Sequence, residues 1–389
     1  MPIEGPPHRR WSRRGVLTGG LAVMAMPSPL AAADDQPLSL PIALGPMRIE
    51  IGVLVNGHGP YLFVLDSGGQ PGLIDEGLAR SLHLASGRTM TFTLAHEARR
   101  VPVYDVALAV GGAFRQPHAS LVGTDVITFG PGAQGSLSAG FLTHGASGLL
   151  FDESRWLLWP GALPALPDYV RLRHAIRKLA LRGGSDLLVA PATVNGVEIE
   201  LGYDTGAPAP MTLSPAAAKR AGLLDGRPDC PIGASAKLYR SGPVHIAGID
   251  LYRPLVAVHP VNYGSALFDN GLVGLGLLRL LDLATDPSAG DLLVRRNRQS
   301  PLPERYSLSG IWFDRRGNGA MVAAVGRGSP AQAAGVAPGD LVLDMPFEQA
   351  VSRFKGPAGA TVTATLERAG VRRPIEIALR PYLVDHPVG

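Results

Sequence analysis

Two stretches of the chain alternate apolar and polar positions, turn, and then run into an acid. In the first, Ile49–Val55 and Tyr61–Leu65 have the two-residue period of half-buried strands and lead to Asp66-Ser67-Gly68-Gly69. In the second, Ile199-Glu200-Leu201-Gly202-Tyr203 leads to Asp204-Thr205-Gly206-Ala207. Asn56 of an Asn-Gly pair stands ten residues before the first acid, and Asn195 of another stands nine before the second. Asn-Gly between β-rich runs predicts a tight hairpin, because both residues tolerate positive φ.

The likeness continues past the acids. A short helix is predicted after each: Asp75 caps the first, with Leu78, Ala79 and Leu82 on one face. Ser214 caps the second, Pro215 fits its first turn and Gly222 ends it. Further on, Gly135-Ser136-Leu137-Ser138-Ala139-Gly140-Phe141-Leu142 answers to Gly271-Leu272-Val273-Gly274-Leu275-Gly276-Leu277-Leu278. Gly140 lies 74 residues after Asp66, and Gly276 lies 72 after Asp204. Each copy then closes with an acid and a strand, Asp152 to Trp159 and Asp286 to Val294. Self-similarity of this extent marks a duplicated, mainly β unit.

Asp-Ser/Thr-Gly, present twice with matched flanks, resembles the active-site motif of aspartic peptidases, where two such loops meet around one water. The resemblance implies two tandem retropepsin-like β-barrel lobes, 34–159 and 186–298, similar to a retropepsin dimer fused head to tail into a two-lobed monomer. It implies a catalytic dyad of Asp66 and Asp204. Two carboxylates about 3 Å apart share one proton. The ionised member takes a proton from water while the protonated one polarises the scissile carbonyl. Gly68 and Gly206 would let the loops turn and aim N–H groups at the carboxylates, and the hydroxyls of Ser67 and Thr205 would cross-brace the loops. Thr89–Leu94 and Arg100–Val110 read as a long hairpin, the flap of the family, with His96 and Glu97 at a solvated tip. A second flap is expected between Ile232 and His245, with Lys237 and Arg240 near its tip. Gly69, Ala207 and Ser138 depart from the family pattern.

Residues 303–383 read as a separate module. Ser329-Pro330-Ala331-Gln332-Ala333-Ala334-Gly335 is a capped short helix ending at glycine, and Pro338-Gly339-Asp340 is a turn. Val342, Thr361–Glu367 and Ile375–Leu379 read as strands. With Gly310-Ile311-Trp312-Phe313 as a peptide-binding loop, this resembles a bacterial PDZ domain, although Trp312 stands where a second glycine is usual. The resemblance implies a peptide ligand or help in recognising protein substrates. Deleting the module should then spare cleavage of short peptides.

Composition alters this picture mainly at the N-terminus. The net charge is +4, of which Arg9, Arg10, Arg13 and Arg14 against Glu4 supply +3. The basic balance is therefore no reason to invoke nucleic acid. Ser12-Arg13-Arg14-Gly15-Val16-Leu17, an apolar run from Val16 to Met26 and Ala31-Ala32-Ala33 resemble a twin-arginine signal peptide, 1–33. The expectation is export to the periplasm, with no membrane span after cleavage; the alternative is an uncleaved tether. Cys230 is the single cysteine, which excludes an intrachain disulfide. Residues 160–185, proline-rich and then basic, read as a solvated linker with some strand.

No H-E-x-x-H site or Gly-rich phosphate loop is present, so no metal and no cofactor are expected. Ser136 to Gly140 approaches a G-x-S-x-G elbow but lacks its first glycine. The leading expectation is an exported aspartic endopeptidase acting on peptides or proteins. The alternative is a non-catalytic peptide-binding adaptor built on the same scaffold, since fold alone does not set function.

Overall fold

Both Asn-Gly pairs form two-residue turns. Val55 faces His58 across the first, and Val194 faces Val197 across the second. Asn56 and Gly57 have φ of 49° and 84°, Asn195 and Gly196 of 52° and 78°, the left-handed pair a hairpin of this length needs. Each asparagine also ties its turn to a neighbouring segment of backbone. Asn56 Oδ1 accepts from the Ala107 N–H at 2.8 Å, and Asn195 Oδ1 accepts from the Gly242 N–H.

The computed structural model describes residues 36–94, 97–127, 129–178, 184–233, 235–260 and 266–384. The expected signal peptide and His96 lie outside these residues.

From the two hairpins grow two sheets with the same internal order. In the first it runs Ile49–Val55, His58–Leu65, Ala133–Leu137, Gly72–Asp75, Phe114–Thr124, Glu97–Val110. In the second it runs Leu187–Val194, Val197–Asp204, Gly271–Gly274, Met211–Leu213, Leu255–Val258, Lys237–Arg240. Both are mixed. His58–Leu65 and Val197–Asp204 pair parallel with Ala133–Leu137 and Gly271–Gly274. The short strand after each acid also pairs parallel, with Phe114–Thr124 or Leu255–Val258. Parallel neighbours need long crossovers, and the helices Glu76–Ser81 and Pro215–Arg220 begin them. Asp75 accepts from the Leu78 N–H at 2.8 Å and Ser214 from the Ala217 N–H at 3.3 Å, as the capping pattern predicts.

A third, six-stranded antiparallel sheet joins the halves. Its order is Leu38–Pro41, Arg155–Leu158, Ser147–Leu150, Leu281–Asp286, Asp291–Arg296, Val170–Leu172. The strand expected within 160–185 joins this sheet. Val170–Leu172 pairs with the strand Asp291–Arg296, and Arg171 forms an ion pair with Asp291 at 2.8 Å. One apolar core runs through both halves and includes the buried Phe63, Phe151, Trp156 and Tyr203. Each such side chain removed from water contributes about 1.5–3 kcal/mol.

The C-terminal part has its own core under a five-stranded sheet: Ile311–Arg316, Gly319–Val325, Leu341–Val342, Thr361–Arg368, Val371–Ala378. The sequence reading does not include its helix Phe347–Phe354. The signal was present in Phe347, Ala350, Val351 and Phe354, spaced at helical intervals, but Pro346 supplies no side-chain cap. Among the described residues no helix is long and apolar enough to cross a membrane.

Asp282 joins the halves by hydrogen bonds. It is 2 % exposed, and its Oδ1 accepts from the Phe151 N–H at 3.1 Å while its Oδ2 accepts from Arg295 Nη2 at 2.6 Å. Asp282→Ala strands the buried Phe151 N–H, so unfolding in urea should report a loss of about 1–3 kcal/mol. Unchanged stability would show that this donor finds another partner.

Candidate active site

Asp66 directly follows the strand His58–Leu65, and Asp204 is the last residue of Val197–Asp204. Each loop is held from behind by the strand its own strand pairs with in parallel. The Asp66 N–H donates to the Leu137 carbonyl at 3.0 Å, and the Ala139 N–H donates to the Gly69 carbonyl at 2.8 Å. In the second copy the Leu275 N–H donates to the Ala207 carbonyl at 2.7 Å. The apolar-apolar-Gly segments found in the sequence therefore lie directly behind the acidic loops.

The two loops meet, and their hydroxyls cross. Ser67 Oγ donates to the Tyr203 carbonyl at 2.7 Å and accepts from the Thr205 N–H at 2.9 Å. Thr205 Oγ1 donates to the Leu65 carbonyl at 2.7 Å and accepts from the Ser67 N–H at 3.0 Å. Ser67 and Thr205 are both wholly buried, so each hydroxyl satisfies groups that water does not reach.

The carboxyls face each other above this brace, within hydrogen-bonding reach. Asp66 Oδ1 accepts from the N–H groups of Gly68 and Gly69 at 3.0 and 2.9 Å. Asp204 Oδ1 accepts from those of Gly206 and Ala207 at 2.8 and 3.2 Å. The glycines are required by proximity. A Cβ on Gly68 would overlap the Asp204 carboxyl, and one on Gly206 would overlap that of Asp66. Burial raises both carboxyls above the usual range. The hydrogen bonds to Asp66 partly offset its rise, while the charge of Asp66 adds to that of Asp204, which is raised the further. Such a pair titrates as a unit.

Ser138 and Ser185 lie beside the first acidic loop, and the second of them was missed by the sequence reading. Ser185 Oγ donates to Ser138 Oγ at 3.0 Å, and the Ser185 N–H donates to the Gln70 carbonyl at 3.2 Å. The start of the second half is thereby tied to the first acidic loop. No local pattern marks Ser185, because its partner is 47 residues away.

The other candidate residues lie elsewhere. Ile311, Trp312 and Phe313 belong to the edge strand of the C-terminal sheet and Gly310 directly precedes it, so none lies in the loops around the acids. Gly310 has φ of 77°, Ile311 and Phe313 are buried, and Lys355 Nζ lies 5.9 Å from the centre of the half-buried Trp312 ring. In the first sheet Ser86–Leu94 and Glu97–Val110 pair as the expected long hairpin. The second hairpin differs from expectation. Asp229–Pro231 pairs with Lys237–Arg240, so Arg240 lies at the strand end remote from the turn rather than near a tip. Lys237 Nζ pairs with Asp229 at 3.1 Å, and Arg240 pairs with Glu304.

No family model matches the chain, and no curated protein matches it. Among solved structures the chain is similar to the crystal structure of aspartic proteinase from Irpex lacteus, at 9 % identity and a TM-score of 0.46. The match covers 67 % of this chain and 98 % of that one.

Thr205→Ala removes an acceptor for the Ser67 N–H and a donor for the Leu65 carbonyl, both buried. Thermal or urea unfolding should show a loss of about 1–3 kcal/mol, largely recovered in Thr205→Ser. Equal stability of Thr205→Ala and the parent chain would argue against the brace.

Asp204→Asn should raise the melting temperature near pH 7. The folded-state pKa of Asp204 lies above its unfolded value, so the folded state pays nothing below the unfolded pKa and loses stability as pH rises toward the folded one. Removing the carboxyl removes that loss, so the gain should fade as pH drops below about 4. A variant less stable than the parent at neutral pH would contradict the raised pKa.

Proposed function

We propose that the chain is an exported aspartic endopeptidase that hydrolyses peptide bonds with a water activated between Asp66 and Asp204. The observation that carries this reading is the pair of facing carboxyls, each with its own N–H donors, above the crossed Ser67 and Thr205 hydroxyls. A pair with both carboxyls raised holds one proton between them over a range of pH. The ionised member accepts a proton from the water that attacks the scissile carbonyl. The protonated member hydrogen-bonds the carbonyl oxygen and stabilises the charge that develops there. The leaving nitrogen takes its proton from the dyad, which returns to the singly protonated state. Under this reading the long hairpin Ser86–Val110 is a flap over the substrate.

The residues 303–383 are proposed to be a PDZ-like module, supported by the Ser329-capped helix, the turn at Pro338-Gly339-Asp340 and the edge strand beginning at Ile311. Export rests on the resemblance of residues 1–33 to a twin-arginine leader. The partners expected are peptide or protein substrates and a peptide ligand of the module.

Purified protein incubated with denatured proteins should generate new peptide termini that mass spectrometry identifies, and pepstatin should suppress them. Asp66→Asn and Asp204→Asn should each lower kcat/KM by about 10²–10⁴-fold or more. Near-parental turnover in either variant would refute the dyad, and binding of peptides without cleavage would favour the adaptor alternative.

The pH dependence follows from the donors around the pair. Gly69 and Ala207 offer only backbone N–H groups to the carboxylates, where a hydroxyl would add another donor to the ionised form. The singly protonated pair should therefore persist upward in pH, with the upper limb of kcat/KM above about pH 6. Ala207→Thr should move that limb down. A maximum confined to strongly acid pH in the parent chain would contradict this argument.

A further inference from the structure

The second-half hairpin, counterpart of the long first-half hairpin in strand order, is held at its root by the C-terminal module. The backbone of Asp229 pairs with Arg327, its N–H donating to the Arg327 carbonyl at 3.1 Å. The Arg327 N–H returns a bond to Asp229 Oδ1 at 3.3 Å, and Tyr382 Oη donates to the Asp229 carbonyl at 3.1 Å. A Cβ on Gly326 would overlap that same carbonyl, which shows how closely the two backbones approach. At the other strand, Arg240 makes a two-pronged pair with Glu304 at 2.8 and 2.6 Å and donates from Nε to the Leu383 carbonyl at 3.0 Å. Glu304 Oε1 also accepts from the Leu255 N–H at 3.0 Å, so one carboxylate ties two adjacent strands of the second half to the module's leading segment. Between these polar ties Cys230, Leu255, Tyr382 and Leu383 are buried together.

We propose that the C-terminal module is a fixed clamp on the hairpin Asp229–Arg240, holding it as a rigid wall of the cleft, with Asp229, Arg240 and Glu304 as positioning residues. The proposal rests on the peptidase reading and extends it. A short two-stranded hairpin is at best marginally stable by itself, so its geometry depends on what it packs against. The first-half hairpin is long, whereas the second is short and bonded at its root to the module. On this proposal deletion of the module would impair cleavage of short peptides as well, because the clamp shapes the cleft whether or not a substrate reaches the module.

The module's own groove is consistent with a structural role. The space between the edge strand Ile311–Arg316 and the helix Phe347–Phe354 is spanned by an Arg315–Glu348 ion pair, and the Ile311 N–H is engaged by Ser309 Oγ at 3.3 Å.

The test uses the full chain carrying Glu304→Ala, with Glu304→Asp as the conservative partner. Two readouts are needed: amide hydrogen exchange over 229–240, and kcat and KM on a peptide too short to reach the module. Glu304→Ala should speed exchange of the 229–240 amides about tenfold or more while the amides of 187–204 keep their rates. It should also lower kcat/KM on the short peptide about tenfold, chiefly through KM, as expected when a wall of the binding cleft is loosened. Glu304→Asp should recover most of both effects. If Glu304→Ala fails to fold, Glu304→Gln takes its place with the same expectations. Faster exchange with kcat/KM within about twofold of the parent would overturn the clamp's role in the cleft. Unchanged exchange would overturn the clamp itself. A parent chain with no hydrolysis on any substrate would remove the peptidase reading, and the exchange comparison would still decide whether the module holds the hairpin.

Discussion

Two carboxyls held face to face repel when both ionise, and the fold has to keep them there against that repulsion. It does so from below, through Ser67 and Thr205, whose hydroxyls each bond to the backbone of the opposite half. Because every bond of this brace crosses between the halves, neither half alone contains a finished site. The glycines at 68 and 206 follow from the same demand, since each lies where any side chain would enter the opposing carboxyl. Burial raises both acids, and the charge of Asp66 raises Asp204 further. The strain of the arrangement and its capacity to share a proton have one origin. Stability given up at the site is recovered in the continuous apolar core and in the six-stranded sheet that both halves build.

The duplication is exact in strand order and unequal in use. Both acidic loops are backed by a parallel strand, yet only the first is stitched to the chain that enters the second half, through Ser138 and Ser185. Ser138, which departs from an apolar pattern, is the residue that accepts this added tie. The hairpins differ in the same way. The first is long, and the second is short and bonded at its root to the C-terminal module. A symmetric core thus carries asymmetric ties, one beside the first acidic loop and one at the root of the second hairpin.

Much of this was legible in the amino acids. The turns at Asn56-Gly57 and Asn195-Gly196, the caps at Asp75 and Ser214 and the strands leading to both acids depend on neighbours within a few residues, which is the range that propensity and periodicity report. The helix Phe347–Phe354 was legible too, in its apolar spacing, but no capping residue announced it. Arg240 was misplaced for a related reason. The turn between Pro231 and Lys237 has no Asn-Gly pair to set its register, so the strand boundaries could not be read from composition alone.

By itself, then, the sequence determined that the chain contains two copies of a β unit, each ending in an acid, a hydroxyl residue and a glycine. It could not determine that those hydroxyls cross, because the residues they join are 136 to 140 positions apart. Nor could it show that Leu38–Pro41 and Val170–Leu172 complete one sheet, or that Glu304 reaches back to Arg240. Such contacts depend on which surfaces are left to pair once each unit has formed its own hydrogen bonds and buried its own apolar face. That choice is made by packing among distant segments, and only the tertiary structure records it.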